Sequence, residues 1–256
     1  MNTFDLFQLR GKVALITGGG RGIGYQIAEA LSDAGCSIAV CSRKLAACEA
    51  AAAELSAKGI EAKAYACDLG NEEDVQRTVQ DVIRDFGKID ILINNSGTTW
   101  GATVEDMPLE AWEKVMKVNV TGTFLMSQAV GRTMIERKSG KIINIASAAG
   151  LKAEPPEVLN AIGYSTSKAA VVHFTRDLAR KWAQHGIYVN AIAPGFFPTK
   201  MTKAVLEKSG DTIKGKNPLN RIGDDHAIKG VALLLATEAS DFMTGQIISV
   251  DGGSTL

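Results

Sequence analysis

The sequence predicts an α/β fold: a single doubly wound domain over residues 1–256, with about seven parallel strands and helices on both faces. Three observations predict it. Short aliphatic runs alternate with longer helical patterns from end to end, which implies a parallel sheet with right-handed crossovers. Most of those runs are apolar throughout, as strands covered on both faces must be. The chain has 256 residues, 46% of them hydrophobic and 22% charged. That length builds one well-buried domain and is too short for two substantial ones.

In order, the strand candidates are Val13–Thr17, Ser37–Cys41, Glu61–Ala66, Ile89–Ile93, Lys141–Ala146, Ile187–Ala193 and Gln246–Val250. Helical patterns fall near 23–34, 44–58, 71–86, 108–136, 163–185 and 225–236. The Ala-rich second pattern ends at Gly59, a C-cap signal. No repeat, low-complexity tract or linker interrupts the alternation. Two stretches read as irregular: 148–163, containing Pro155-Pro156, and 195–223, with Pro198, Pro218 and four glycines. Ligands bind outside the carboxyl ends of strands in such sheets, where these loops emerge. The second, polar and glycine-hinged, is expected to be a mobile lid.

Composition narrows the function. Lys+Arg and Asp+Glu number 28 each, so no overall field steers the chain to nucleic acid or an anionic membrane. Cys36, Cys41, Cys48 and Cys67 form no CxxC pair. They read as reduced, small core hydrophobes, and no metal site is expected. The N-terminal MNTFDLFQLRGK lacks the apolar run of a secretory signal, and no window approaches the ~18 apolar residues of a membrane span. The expectation is a soluble, cytoplasmic protein.

The first strand runs into Thr17-Gly18-Gly19-Gly20-Arg21-Gly22-Ile23-Gly24 and then an amphipathic helix. A pyrophosphate needs close backbone approach and helix-terminal N–H groups aimed at it, and glycines allow both. This is a Rossmann-type dinucleotide turn, with Gly18, Gly20, Arg21, Gly22, Ile23 and Gly24 as cofactor-binding candidates. At the end of the second strand, where NAD-preferring sites carry a carboxylate, stand Ser42 and Arg43. Two guanidinium forks, Arg21 and Arg43, suit a ribose 2′-phosphate. The alternative is that both merely solvate a surface. The cofactor expected is NADP(H).

Tyr164-Ser165-Thr166-Ser167-Lys168 falls near the start of a helix. Residues four apart share a helix face, so phenol and ammonium meet over one site. A free Tyr has a pKa of about 10, and a neighbouring cation is expected to lower it by ~3 units, about 4 kcal/mol. Ser147 ends the run Lys141–Ala146, 17 residues earlier. Its hydroxyl can hydrogen-bond a substrate oxygen beside Tyr164. Asn119 lies mid-helix, where an amide has low propensity.

The TGxxxGxG spacing, Asn94-Asn95-Ser96-Gly97, Ser147, Tyr164-x-x-x-Lys168 and Pro194-Gly195 together resemble the short-chain dehydrogenase/reductase family, over essentially the whole chain. The family pattern NNAG has Ser96 in place of Ala. The resemblance implies a catalytic set of Asn119, Ser147, Tyr164 and Lys168, with Asn119 holding a water in the proton relay to the lysine. It implies further cofactor contacts from Asp68 and Leu69 beside the adenine, from Asn95, Ser96 and Gly97, from Tyr164 and Lys168, and from Pro194, Gly195, Phe197 and Thr199. It also implies a homo-oligomer, dimer or tetramer, pairing the helices at 108–136 and 163–185, with the tail 249–256 reaching a neighbour.

For the substrate, an apolar wall of Trp100, Leu151, Phe196, Phe197 and Met201 is expected. The segments NNSGTTWGA and WEKVMKVNV are similar to β-ketoacyl reductases, including the rhamnolipid branch, which implies a 3-oxoacyl thioester or another apolar ketone. At the positions where those enzymes dock an acidic carrier, this chain has Lys138 and His185. The alternatives are a polyol or sugar-acid dehydrogenase such as gluconate 5-dehydrogenase, and a non-catalytic dinucleotide-binding sensor or scaffold.

Overall fold

The computed structural model describes residues 2–256. Seven strands form one parallel sheet in the order β3-β2-β1-β4-β5-β6-β7. They are β1 Val13–Thr17, β2 Ser37–Ser42, β3 Ala62–Ala66, β4 Ile91–Asn94, β5 Gly140–Ile145, β6 Ile187–Pro194 and β7 Ile247–Val250. Strand order reverses between β1 and β4, and that switch point opens a crevice at their carboxyl ends.

Helices cover both faces. α1 (Gly22–Asp33), α2 (Leu45–Ala57) and α8 (Lys229–Ala236) bury Ile27, Leu31, Leu55 and Leu235 against one face. α3 (Glu72–Phe86), α5 (Gly122–Arg137) and α6 (Ile162–Trp182) cover the other. α3 shows how local sequence sets these elements. Asn71 caps its start through the Asp74 N–H at 3.2 Å. Three acids in the first turn complement the helix dipole, and Gly87 at φ 80° ends it. Val75, Val79 and Val82 form its buried stripe, each contributing roughly 1.5–3 kcal/mol by leaving water. Gly59, at φ +85°, follows the end of α2 as expected.

Three helical expectations need correction. The pattern near 108–136 is not one helix. α4 (Leu109–Met116) passes through a π-helical turn, Lys117–Thr121, before α5 begins. The stretch 195–223 is not a loop throughout, because it contains α7 (Lys203–Gly215), bent at Ser209 (φ −133°). Gly210 and Gly215 disguised it in the sequence, and Ile213, its buried residue, anchors the far half. The pattern near 225–236 starts as helix only at Lys229, because the Asp224 carboxylate takes the His226 and Ala227 N–H groups in a turn. All four cysteines are buried and free. Among the described residues no helix is long and apolar enough to cross a membrane.

Candidate active site

A cleft of roughly 1620 Å³ runs over the carboxyl ends of the strands, from the glycine turn to α6 and α7. Its floor at one end is Gly18, Gly20, Arg21, Gly22 and Ile23. α1 starts there with no side-chain cap on its first amides, so those N–H groups remain available to an anion. Gly22 needs its glycine for φ +56°. Gly24 answers a different need. A Cβ there would lie 2.4 Å from both Asn95 Nδ2 and Gly18 O. Gly24 does not line the cleft, but lets the turn close on the β4 loop. Gly24→Ala is therefore expected to lower Tm and weaken dinucleotide binding together, in thermal unfolding with and without cofactor. Overpacking of this kind costs about 1–3 kcal/mol.

Asn95 closes the same junction. Its Nδ2 donates to Thr17 O at 3.0 Å and Gly18 O at 3.1 Å. Thr17 Oγ1 in turn accepts from the Asn95 and Ser96 amides at 3.0 Å each. Thr17 heads the TG motif, and its hydroxyl ties the glycine turn to the β4 loop.

At the β2 end, Arg21, Arg43 and Lys44 are exposed, line the cleft and belong to no ion pair among the described residues. The Ser42 hydroxyl is engaged locally, donating to Lys44 O at 3.1 Å and accepting the Lys44 N–H at 3.2 Å. Asp68 and Leu69 line the cleft beyond, with one Asp68 oxygen accepting the Gly70 N–H at 2.9 Å. An uncapped helix start, a glycine floor and three unpaired cations fit a phosphorylated dinucleotide. Ser96, Gly97, Pro194, Gly195, Phe197 and Thr199 line the opposite end.

There Ser147, directly after β5, faces α6. Its hydroxyl accepts the Ala149 N–H at 3.2 Å and shares the cleft wall with Tyr164. Lys168, 4% exposed, donates from Nζ to Ile145 O at 2.7 Å. The same nitrogen lies 5.7 Å from the Tyr164 ring centroid.

The electrostatics differ from the sequence expectation. Burial pushes the Tyr164 phenol above its ordinary value, and only the nearby Ser147 hydroxyl opposes this. The Lys168 ammonium is directed onto the Ile145 carbonyl and does not offset that burial. Desolvation brings Lys168 down from 10.5 to about 8. At neutral pH the phenol therefore holds its proton.

The lysine shift has a stability consequence. The folded protein binds fewer protons than the unfolded chain between pH 8 and 10.5, so stability rises with pH through that window. The shift from 10.5 to about 8 corresponds to about 3 kcal/mol of burial cost at neutral pH, partly offset by ~1 kcal/mol for the hydrogen bond. Lys168→Met is expected to raise Tm by a few degrees at pH 7. That gain shrinks as pH climbs past 8, which thermal unfolding at stepped pH checks.

Asn119 sits in the π-helical turn, 1% exposed, and does not line the cleft. Its Oδ1 accepts the Thr98 N–H at 2.8 Å, and its Nδ2 donates to Thr98 O and to Ser167 Oγ at 2.9 Å each. The side chain braces its neighbours and has no donor left for a substrate.

The expected apolar wall is also corrected. Phe197 and Met201 line the cleft; Trp100, Leu151 and Phe196 do not. Trp100 and Leu151 stand exposed at 46% and 38%. In their place α7 and the segment before it bring Lys200, Thr202, Lys203, Leu206 and Glu207. Lys138 and His185 lie just before β5 and β6, at the strand ends opposite the cleft. Within the tail, the Ser254 and Thr255 hydroxyls donate to Asp251 at 3.1 and 2.7 Å.

A family profile described as "short chain dehydrogenase" matches residues 12–210. Gluconate 5-dehydrogenase of Gluconobacter oxydans is 36% identical over 254 residues, 98% of each chain. The rhamnolipids biosynthesis 3-oxoacyl-[acyl-carrier-protein] reductase of Pseudomonas aeruginosa is 38% identical over 253 residues, 96% of this chain and 97% of that one. A gluconate 5-dehydrogenase from Burkholderia cenocepacia, solved with NADP and tartrate, superposes with a TM-score of 0.94 at 36% identity, covering 99% of both chains. The chain belongs to the short-chain dehydrogenase/reductase family of oxidoreductases. The relatives divide between acyl and sugar-acid chemistry, and the resemblance read from the sequence extends to both.

Proposed function

We propose that the protein uses NADPH to reduce a ketone to a secondary alcohol, or runs the reverse reaction. The observation that carries this reading is the meeting of Ser147, Tyr164 and Lys168 at one end of a cleft whose other end is floored by glycines and ringed by unpaired cations. Gly18, Gly20, Arg21, Gly22 and Ile23 hold the pyrophosphate side; Arg43, with Lys44, holds a 2′-phosphate beside Ser42. Asp68 and Leu69 flank the adenine. Ser96, Gly97, Pro194, Gly195, Phe197 and Thr199 surround the nicotinamide end, and Tyr164 and Lys168 reach the adjoining ribose. Bound NADPH supplies the hydride.

The chain's own side chains handle the proton. Ser147 hydrogen-bonds the ketone oxygen and orients it toward Tyr164. Tyr164 gives that oxygen its proton, a general-acid step worth roughly 10²–10⁴-fold. Lys168 restores the proton from its buried position. Asn119 serves by holding Thr98 and Ser167 in place.

The exchange of Trp100, Leu151 and Phe196 for Lys200 and Lys203 at the cleft wall favours a polar keto acid, of the kind a sugar-acid dehydrogenase handles. A 3-oxoacyl thioester is the second reading, supported by the apolar strip Phe197, Met201 and Leu206. NADPH oxidation with 5-keto-gluconate and with acetoacetyl thioesters separates them. Saturable turnover of the thioester alone would reverse the order.

Exposed Leu109 and Phe124, at 66% and 45%, support a homo-oligomer built on α4, α5 and α6, which light scattering tests.

A further inference from the structure

Helix α6 carries both Tyr164 and Lys168, yet nothing caps its start. Ala161, at the N-cap, makes no side-chain hydrogen bond, and the segment before it is the proline-bearing loop. The first turn of this helix therefore needs another anchor if the phenol is to stay opposite Ser147.

Two buried hydroxyls supply one, on either side of Lys168. Ser167 Oγ donates to Tyr164 O at 2.7 Å and accepts from Asn119 Nδ2 at 2.9 Å. Two turns on, Thr175 Oγ1 donates to Val171 O at 2.8 Å and accepts from Asn144 Nδ2 at 2.9 Å. The two bolts have the same polarity. Each hydroxyl spends its single proton on its own helix, so only its lone pairs face the asparagine. Ser167, Thr175 and Asn144 are fully buried and Asn119 is 1% exposed, so no water replaces a lost partner.

Both asparagines are themselves fixed to the sheet side. Asn144 Oδ1 accepts from Asn94 Nδ2 at 2.9 Å across the β4–β5 register, and the same amide donates to Ser127 Oγ at 2.9 Å. Asn119 is clamped to the Thr98 backbone. The end of β5 thus bonds α6 at two successive points, Asn144 to Thr175 and Ile145 O to Lys168, and just beyond them Ser147 and Tyr164 line the cleft together. Lys168, Ser147 and Tyr164 belong to the proton-exchanging set, and only the Asn144–Thr175 contact is a fixed strut.

We propose that Ser167 and Thr175 are positioning residues, through which Asn119 and Asn144 hold α6 at the height where Lys168 and Tyr164 meet the end of β5. The inference rests on the proposed role of Tyr164. Small misplacements of reacting groups are costly in rate, up to about 10²-fold for 1 Å.

The test uses Thr175→Val, which keeps shape and removes the acceptor, and Ser167→Ala. Each is expected to lower kcat by about tenfold or more, leave KM for NADPH within about twofold, and shift the alkaline limb of the kcat profile. Thr175→Ser is expected to restore turnover. In a Tyr164→Phe background the same changes are expected to cost less than about twofold on residual turnover, since residues acting as one unit are non-additive. Near-ultraviolet circular dichroism and NADPH binding report whether each variant is folded.

Parental kcat and pH profile in either variant, failed rescue by Thr175→Ser, or an undiminished loss in the Tyr164→Phe background each overturns the proposal. If Tyr164→Phe alone retains full turnover, the reading of the site itself has failed, and the role given to the two hydroxyls fails with it.

Discussion

Tyr164→Phe is expected to remove more than about 99% of ketone reduction while NADPH binds with nearly parental affinity, a loss of roughly 3 kcal/mol or more in transition-state stabilisation. The substitution deletes one oxygen at the wall of the cleft. It leaves the helix, the Ser167 bond to the residue's backbone carbonyl and the ring packing in place. The raised phenol value makes the expected pH dependence asymmetric. Reduction consumes the proton form, which predominates at neutral pH, so its rate falls as the phenol ionises at high pH. Alcohol oxidation needs a proton acceptor and so rises over the same range. Steady-state rates in both directions, with fluorescence titration of the cofactor, check the whole set. A variant that turns over like the parent refutes the proton-donor role.

The second large effect concerns the cofactor's 2′-phosphate. Arg43→Asp is expected to lower kcat/KM with NADPH by about 30- to 100-fold while raising it with NADH. The loss matches one or two charge-assisted hydrogen bonds at ~1.5–3 kcal/mol each, and the new carboxylate repels a phosphate but accepts from a ribose hydroxyl. Arg43 is exposed and free of ion pairs among the described residues, so its removal strands no buried partner and leaves Tm nearly unchanged. Since the term is a charge on a phosphate near solvent, the NADPH preference of the parent shrinks as salt rises. Parallel kinetics with the two cofactors measure this directly. An unaltered preference in the variant would assign Arg43 to the solvent alone.

The strands were legible because a parallel sheet buries both faces and writes itself as aliphatic runs. All seven were placed within a residue or two of their observed limits. The glycine turn and the Ser147–Tyr164–Lys168 set were legible because their spacing ties them to a strand end and a helix face. What escaped were features whose cause is tertiary. The π-helical turn at Lys117–Thr121 leaves no mark in hydrophobic period, and within it Asn119 reaches Thr98 and Ser167 at once. α7 was hidden by Gly210, and its anchor Ile213 gains meaning only once packed.

The direction of the Tyr164 shift was missed for a related reason. Spacing along a helix brings Lys168 near the phenol, but it cannot reveal the Ile145 carbonyl that claims the ammonium or the burial that outweighs it. The apolar wall failed similarly, because Trp100 and Leu151 flank the site in sequence while α7 covers it in space. Gly24 was marked as a pyrophosphate contact. A Cβ there would meet both the Gly18 carbonyl and Asn95, and the second contact is one no linear motif reports.

The central claim is that this cleft passes hydride to a ketone while the Tyr164 hydroxyl supplies the proton. It is tested most directly by following NADPH consumption and alcohol formation with 5-keto-gluconate, acetoacetyl thioester and a small α-diketone, parent and Tyr164→Phe side by side. The prediction is stoichiometric secondary alcohol from at least one ketone with the parent, and its near absence with the variant. NADPH bound tightly yet unconsumed across the panel, or equal rates in the two proteins, would contradict it.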